Sequence, residues 1–324
     1  MTELKRKSKQ KEDLSAHDLE RKKVKLTKRM YRIKRNILVS VIVVFLSVIA
    51  IAVLTPTVLT ITNSLMSSTE IISNYGKIFT NATSGTKTYI ATRVNLKIIP
   101  DMISFEQYIT TLIKSPQYLL KFWNSVILVV PITVFQIIAA LGAAYCFARF
   151  ESKIRSLVFF IYVILMLMPY QVTLVPNYLV ADWLNLIDTR WSIILPGIFA
   201  PFSVFILAKF MKRIPSAMIE AAKIDGASEW QIFSRICVPQ CRGTIYSVVI
   251  LVFIDYWNMV EQPLILLKDA ELHPLSVFLS RINTGDVGLA FAVATIYMIP
   301  TLLMFLYSED YLIEGVSYSS GIKG

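Results

Sequence analysis

Apolar residues in this chain of 324 residues gather in runs of about twenty, separated by polar segments. A helical run of that length crosses a hydrocarbon core of about 30 Å. The third run is interrupted by Pro169 and Pro176, which membrane helices tolerate where neighbouring helices or water satisfy the freed carbonyls. The pattern predicts an all-α polytopic membrane protein with six transmembrane helices, at residues 37–59, 122–147, 157–181, 191–211, 244–266 and 288–307.

Composition supports a membrane protein. Hydrophobic residues make up 55% of the chain and charged residues 17%, with a mean hydropathy of +0.58, which is more apolar than a typical soluble domain. The predicted spans divide the chain into a basic arm (1–36), a first membrane helix (37–59), an extracytoplasmic loop (60–121) and a core (122–324). The core holds the other five membrane helices and a polar loop at 214–243.

The net charge of +11 is concentrated before the first span, where the basic arm carries fourteen Lys and Arg residues. Because the arm adjoins a membrane helix, the tendency of positive charge to stay in the cytoplasm explains it better than nucleic-acid binding does. Basic residues after the second and fourth spans agree with this orientation. We therefore predict that both termini and the polar loop are cytoplasmic and that the first span is retained rather than cleaved as a signal peptide.

The polar loop contains a compact pattern between Glu220 and Pro239. A short helix at 218–224 with two adjacent alanines offers a surface that another backbone can approach closely. Gly226, after Asp225, suits a turn that needs a positive φ. Ser228 and Gln231 are spaced as a capping box that begins a second helix, which we expect Pro239 to break. The pattern predicts a rigid helix–turn–helix with one acid, Glu220, free to pair with a partner.

This loop resembles the EAA-x3-G-x9-I-x-L-P signature of the permease subunits of ABC importers, with Val238 where Leu is usual. The resemblance implies that the loop is the coupling helix that contacts a cytoplasmic ATPase, and it implies a type I importer architecture. The matching signature residues are Glu220, Ala221, Ala222, Gly226, Ile236 and Pro239, and the expected contact also includes Asp225 and Ala227.

Other segments resemble the sugar-importer branch of the family. Asn124-Ser125 opens the second span as in many such permeases, and the C-terminal Glu314-Gly315 with Gly321–Gly324 is similar to the ending of maltose-transporter G-type permeases. The basic arm and residues 67–117 carry little resemblance. The resemblance implies a carbohydrate importer in a bacterial cytoplasmic membrane. Its implied partners are a second homologous permease, two ATPase subunits that bind ATP and Mg, an extracytoplasmic solute-binding protein and membrane lipid, and no nucleic acid.

Polar side chains inside predicted spans are costly and often mark a transport pathway. Amides, acids and aromatic rings suit a sugar, although each such residue can instead bond a neighbouring helix. Asp255 also departs from the family, in which that position is not acidic. The candidates for the translocation path are Gln136, Tyr170, Gln171, Asn177, Asp255, Tyr256 and Asn258.

No catalytic residue, metal site or bound cofactor is expected on this chain. Cys237 and Cys241 are four residues apart, but no His or further Cys lies near them in sequence to complete a metal site, so inert thiols are the preferred interpretation. A Walker motif is missing from the sequence, which places ATP hydrolysis on a separate chain.

Two other functions remain open from the sequence. One is a permease of the same kind for a peptide, phosphate or polyamine, and the other is a membrane receptor without transport activity. The segment at 268–286, between the last two spans, presents a separate choice. It is either a contact for a docked binding protein or a plain connector.

Overall fold

A computed structural model describes residues 2–71, 73–74, 97–150, 152–281 and 287–320. The chain divides into two compact units, residues 1–59 and 60–324; the first is most of the N-terminal helix, and the core and the sites described below belong to the second. The helices are α1 (Thr2–Asn63), α2 (Glu106–Ile109, continued by a π-turn at Thr110–Lys114), α3 (Pro116–Arg149), α4 (Lys153–Leu167), α5 (Tyr170–Trp183), α6 (Trp191–Ile198), α7 (Pro201–Met211), α8 (Ser216–Ile224), α9 (Glu229–Gln240, with a π-turn at Phe233–Cys237), α10 (Arg242–Trp257), α11 (Glu261–Leu266), α12 (Leu275–Ser280) and α13 (Val287–Ser320).

Four helical stretches among the described residues are long and apolar enough to cross a membrane. They are Ile33–Asn63, Pro116–Arg149, Trp191–Met211 and Gly288–Ser308. Two bent helix pairs raise the number to six when each pair is taken as one span, namely α4 with α5 and α9 with α10. The fold is therefore helical and polytopic, and it accommodates the six predicted spans.

Two predicted spans are not the continuous helices that their apolar runs indicated. The run at 157–181 forms α4 and α5, which meet at 106° around Met168 and Pro169. Proline lacks the N–H of a helical hydrogen bond and its ring clashes with the preceding turn, so the chain turns there. The run at 244–266 ends its main helix at Trp257, and a short helix α11 follows.

Parts of the predicted extracytoplasmic loop at 60–121 are structured. Helix α1 runs to Asn63 and α3 begins at Pro116, with the short helix α2 between them. Helix α3 begins at Pro116, and proline is tolerated at the first helical position because the N–H there has no partner within the helix. Residues 72 and 75–96, including the Ser/Thr/Asn-rich part of this loop, and the C-terminal Gly321–Gly324 lie outside the described residues.

Helix α3 is the centre of the core. Its buried side chains contact α6, α7 and α10. The alanines at 140 and 144, one turn apart and almost fully buried, let neighbouring helices approach closely. Gly197 on α6 marks another close approach, because a Cβ there would lie 2.9 Å from the side chain of Ile132 and 3.2 Å from the hydroxyl of Tyr256. Small residues thus bring α3, α6 and α10 together.

The segment after α11 is fixed to the start of α3. Asn124 donates to the carbonyl of His273 at 3.2 Å and accepts from Arg190 at 2.9 Å, and the backbone N–H of Leu275 donates to Ser125 at 2.9 Å. The carboxylate of Asp188 accepts from the N–H groups of Lys268 and Asp269, both at 2.8 Å. Residues 267–281 are therefore an ordered segment that is hydrogen-bonded to the start of α3. Residues 282–286 lie outside the described residues.

Candidate functional site

The polar loop folds as a helix–turn–helix, and we call residues 216–241 the motif segment. Helix α8 ends in a Schellman motif, in which Ala227 N–H donates to Ala222 at 2.9 Å and Gly226 N–H to Lys223 at 3.1 Å. Gly226 has a φ of +79° with open space around its Cα. The predicted turn is confirmed. Glycine suits this position because of the positive φ, and not because a side chain would collide with the rest of this chain.

Helix α9 begins at the predicted capping box. The N–H of Gln231 donates to the Ser228 side chain at 3.3 Å, and the Ser228 N–H donates to the Gln231 side chain at 2.8 Å. The prediction for Pro239 is wrong, because this residue lies inside the helical turn Val238–Gln240. The π-turn at Phe233–Cys237 precedes it. Pro239 thus stands in the first positions of the last helical turn, where its missing N–H is tolerated, and α9 ends one residue later at Gln240, where α10 leaves at 73°.

The exposed surface of the motif segment carries both polar and large apolar side chains. Glu220 is exposed and has no ion pair among the described residues. Two large apolar side chains of the same segment are strongly exposed, with Ile224 at 86% and Trp230 at 71%. Large apolar side chains that are exposed among polar ones are typical of a protein-binding surface. The sequence pattern predicted Glu220 and the alanines as contact residues, but it did not single out Ile224 and Trp230.

A polar contact between distant residues ties the motif segment to α3. The hydroxyl of Tyr145 donates to the Glu229 carboxylate at 2.5 Å, and Lys223 pairs with the same carboxylate at 2.7 Å. The Lys223 ammonium and then the Tyr145 hydroxyl hold the pKa of Glu229 below its ordinary value. A carboxylate whose pKa is lowered in the folded state contributes its full stabilisation at pH values above its ordinary pKa. The stabilisation is lost as the pH falls through the lowered pKa, so the contact is fully formed at neutral pH.

Arg149, at the end of α3, is a second anchor. Its guanidinium donates to the carbonyl of Met211 at 2.9 Å and to that of Ile214 at 3.2 Å. These carbonyls lie at and just beyond the C-terminal end of α7, where cations are favoured. Sequence analysis noted Arg149 only as part of a basic cluster. Its contact shows that it also joins α3 to the entry of the motif segment.

The two cysteines of the motif segment are fully buried. Burial raises the pKa of Cys237 and raises that of Cys241 to about 12. A buried thiol with a raised pKa is a poor nucleophile and a poor metal ligand, because both roles need the thiolate. This environment agrees with the interpretation of inert thiols.

A cavity of about 350 Å³ lies where three helical interruptions meet, and we call it the central cavity. The interruptions are between α4 and α5, between α6 and α7, and after α10. Irregular backbone at membrane depth is tolerated where it lines a cavity. Three predicted path residues line the central cavity, namely Tyr170, Asn177 and Tyr256.

The other predicted path residues lie elsewhere. Gln136 is buried between α3 and α7, where its amide donates to Ser203 at 2.7 Å. Gln171 donates to Glu261 at 3.4 Å on an exposed surface. Asp255 is exposed on α10 and Asn258 is exposed just after its end, and Asn258 accepts from Tyr297 at 2.9 Å. The structure thus assigns Gln136 a helix–helix contact and leaves Gln171, Asp255 and Asn258 outside the central cavity.

Sequence comparisons identify relatives over most of the chain. Residues 136–317 match the family described as the binding-protein-dependent transport system inner membrane component. The arabinooligosaccharide transport permease AraQ of Bacillus subtilis is 30% identical over 236 residues, covering 71% of this chain and 83% of that protein. The lactose transport permease LacG of Rhizobium radiobacter is 29% identical over 200 residues, covering 61% of this chain and 73% of that protein.

Solved structures share the fold. The crystal structure of a bacterial ABC transporter that imports the acidic polysaccharide alginate contains a chain with a TM-score of 0.68 at 20% identity, covering 85% of this chain and 96% of that chain. At this identity the match establishes architecture alone. Together with the family match and the geometry of the motif segment, it shows that this chain belongs to the family of binding-protein-dependent inner-membrane permeases and is a transmembrane subunit of an ABC importer, not an enzyme.

Proposed function

We propose that this chain is the permease subunit through which an oligosaccharide crosses a bacterial cytoplasmic membrane. The relatives named for arabinooligosaccharide, lactose and diacetylchitobiose transport support a carbohydrate cargo. The single observation that carries the mechanism is the rigid motif segment, with exposed Glu220, Ile224 and Trp230 around a helix–turn–helix. Such a surface suits a partner that must stay attached while it moves.

The proposed assembly contains this chain, a second homologous permease, two ATPase subunits and an extracytoplasmic solute-binding protein. ATP and Mg bind to the ATPase subunits. Transport proceeds by alternating access: ATP closes the ATPase pair, the motif segment moves with it, and the membrane helices open toward the other side. The termini of this chain and the motif segment are then cytoplasmic. A structural neighbour in complex with a sugar-bound periplasmic protein supports the presence of the binding protein.

Uptake measurements test the cargo. A strain lacking the gene, complemented with the wild-type chain, is given labelled arabinotriose, lactose, diacetylchitobiose, a tripeptide and phosphate. We expect gene-dependent uptake of at least one oligosaccharide and none of the tripeptide or phosphate. Gene-dependent uptake of the tripeptide or phosphate alone would show that the carbohydrate assignment is wrong.

A single substitution tests the coupling role in the same strain. Glu220→Ala removes an exposed carboxylate, so we expect unchanged membrane insertion. An ATPase cation that pairs with Glu220 in the assembled complex would lose its partner, and sugar uptake with ATPase co-purification should fall together. Asp182→Ala, which removes an exposed acid from α5, is the matched control. Normal uptake and normal ATPase recovery in Glu220→Ala would exclude the proposed contact.

A further inference from the structure

The central cavity has an orphan polar group aimed into it. Tyr256 is only 9% exposed, and its hydroxyl lies beside Gly197 at the cavity wall. Among the described residues, none forms a hydrogen bond with that hydroxyl. The side chain is buried, but the hydroxyl oxygen itself is accessible from the cavity, and covering it with a group that offers no hydrogen bond would cost free energy. A bound molecule or a water in the cavity would supply the hydrogen-bond partner that the Tyr256 hydroxyl lacks.

Two helix N-termini lie at the same cavity wall. Helices α5 and α7 both begin at the cavity wall, at Tyr170 and Pro201, and neither start is capped by a side chain. The first N–H groups of a helix have no partner within the helix. Tyr162 already donates to the carbonyl of Phe199, at 3.0 Å, which satisfies one acceptor at the break between α6 and α7. Because Pro201 has no N–H and the N–H of Val172 donates to the Pro169 carbonyl at 3.0 Å, the polar contacts available in the cavity come mainly from its side chains.

The character of the lining selects a chemical class. Its polar side chains are hydroxyls and amides, and its apolar surface includes aromatic rings, while none of the lining residues is charged. An acyl chain would leave the buried polar groups unsatisfied, and an ion would find no counter-charge. A neutral sugar ring offers hydroxyls for the polar groups and C–H faces for the rings. The lining that carries this argument is Tyr170, Asn177, Phe202, Tyr256 and Gln262.

From this geometry we propose that the central cavity is a subsite for one neutral sugar ring of the transported oligosaccharide, with the hydroxyl of Tyr256 and the amide of Asn177 bonded to ring hydroxyls. This rests on the proposed function and deepens it, because it places cargo contacts on this subunit and not only on its partner permease. It also predicts discrimination against uronic acids, since a carboxylate in the cavity would meet no cation.

The test uses the complete transporter reconstituted in proteoliposomes with its binding protein. The cargo is the oligosaccharide that the wild type takes up fastest. Tyr256→Phe and Asn177→Leu each remove hydrogen-bonding atoms, and Tyr178→Phe, on the same helix as Asn177 but outside the cavity, is the matched control. One lost hydrogen bond corresponds to about a 3- to 10-fold change in an equilibrium. We expect the half-saturating concentration for uptake to rise by about that factor in the first two variants and to stay unchanged in the control.

An analogue lacking one hydroxyl separates binding from a structural effect. If Tyr256 bonds that hydroxyl, the wild type transports the analogue less well than the parent sugar, whereas Tyr256→Phe transports the two alike. A structural defect would instead lower the rate for both sugars in proportion. Wild-type uptake by both Tyr256→Phe and Asn177→Leu, or proportional loss for every analogue, would overturn the subsite and leave the carbohydrate function intact. Failure of the wild type to transport any sugar would overturn both.

Discussion

At the scale of single residues, Gly226 can be required for two different reasons: its backbone conformation, or the room that it leaves for a partner. Its φ of +79° is costly for residues with a Cβ, by about 1–2 kcal/mol, and most of all for a β-branched one. Nothing in this chain lies within 4 Å of where a Cβ would be. A substitution at Gly226 therefore acts through the turn or through the approach of a partner.

Two substitutions distinguish these effects. Asn tolerates the left-handed conformation, so Gly226→Asn should keep the turn, whereas Gly226→Val should not. If the turn is what matters, we expect sugar uptake and ATPase co-purification to be near wild type in Gly226→Asn and strongly reduced in Gly226→Val. Equal loss in both variants would mean that a partner backbone occupies the open space. Wild-type uptake in Gly226→Val would contradict the role of the turn.

At the scale of elements, the contact between α3 and the motif segment is the bond from Tyr145 to Glu229. Tyr145→Phe removes a hydrogen bond to a carboxylate that is half exposed, 47% for the side chain, so we expect a loss of about 1 kcal/mol. Lys223→Met removes only an exposed ion pair, which contributes less. The thermal midpoint of the purified complex should fall in Tyr145→Phe and remain nearly unchanged in Lys223→Met. The reverse order would show that the ion pair within the motif segment contributes more to stability than the bond from α3.

How far the sequence predicts these elements depends on how local their causes are. The turn at Gly226 and the capping box at Ser228 follow from residues within a few positions, and both were predictable. The bond from Tyr145 to Glu229 joins residues 84 positions apart, and no local pattern contains it. Pro239 was misjudged because it stands in the first positions of the last helical turn, where its missing N–H is tolerated. The central cavity is lined by six helices. Polarity within the predicted spans identified three of its residues, but no local pattern predicts that these helices come together.

At the scale of the whole molecule, contacts sort the helix ends into two groups. One group joins Asp188 to Asp269 and, through the backbone of Ala270, to Lys121. The other joins Arg149 to the end of α7 and to the entry of the motif segment. Helix α3 has one end in each group and, at 34 residues or about 51 Å, it is long enough to separate them by a membrane.

Reporter fusions check the orientation that the basic clusters predict. Fusions after Lys114, Asp188 and Asp269 should report the extracytoplasmic side, and fusions after Arg155 and Arg242 the cytoplasmic side. The contacts require Asp188 and Asp269 to agree with each other whatever the absolute orientation. A fusion pair that disagrees there would contradict the fold itself, whereas inversion of all five readings would contradict only the assignment of sides.

The rings of Trp257 and Tyr297 hold α10 and α13 together twice. The indole donates to the Tyr297 carbonyl at 3.1 Å, the phenol donates to the Trp257 carbonyl at 2.7 Å, and the rings stack with centroids 5.5 Å apart. Two opposed bonds prevent either helix from sliding along the other without breaking both. Helix α10 begins where the motif segment ends and carries Tyr256, a residue of the cavity wall, next to Trp257, so the two bonds tie the cavity end of α10 to α13. If the motif segment is the ATPase contact that we propose, a displacement of that segment has to move α10 and α13 together at the wall of the central cavity.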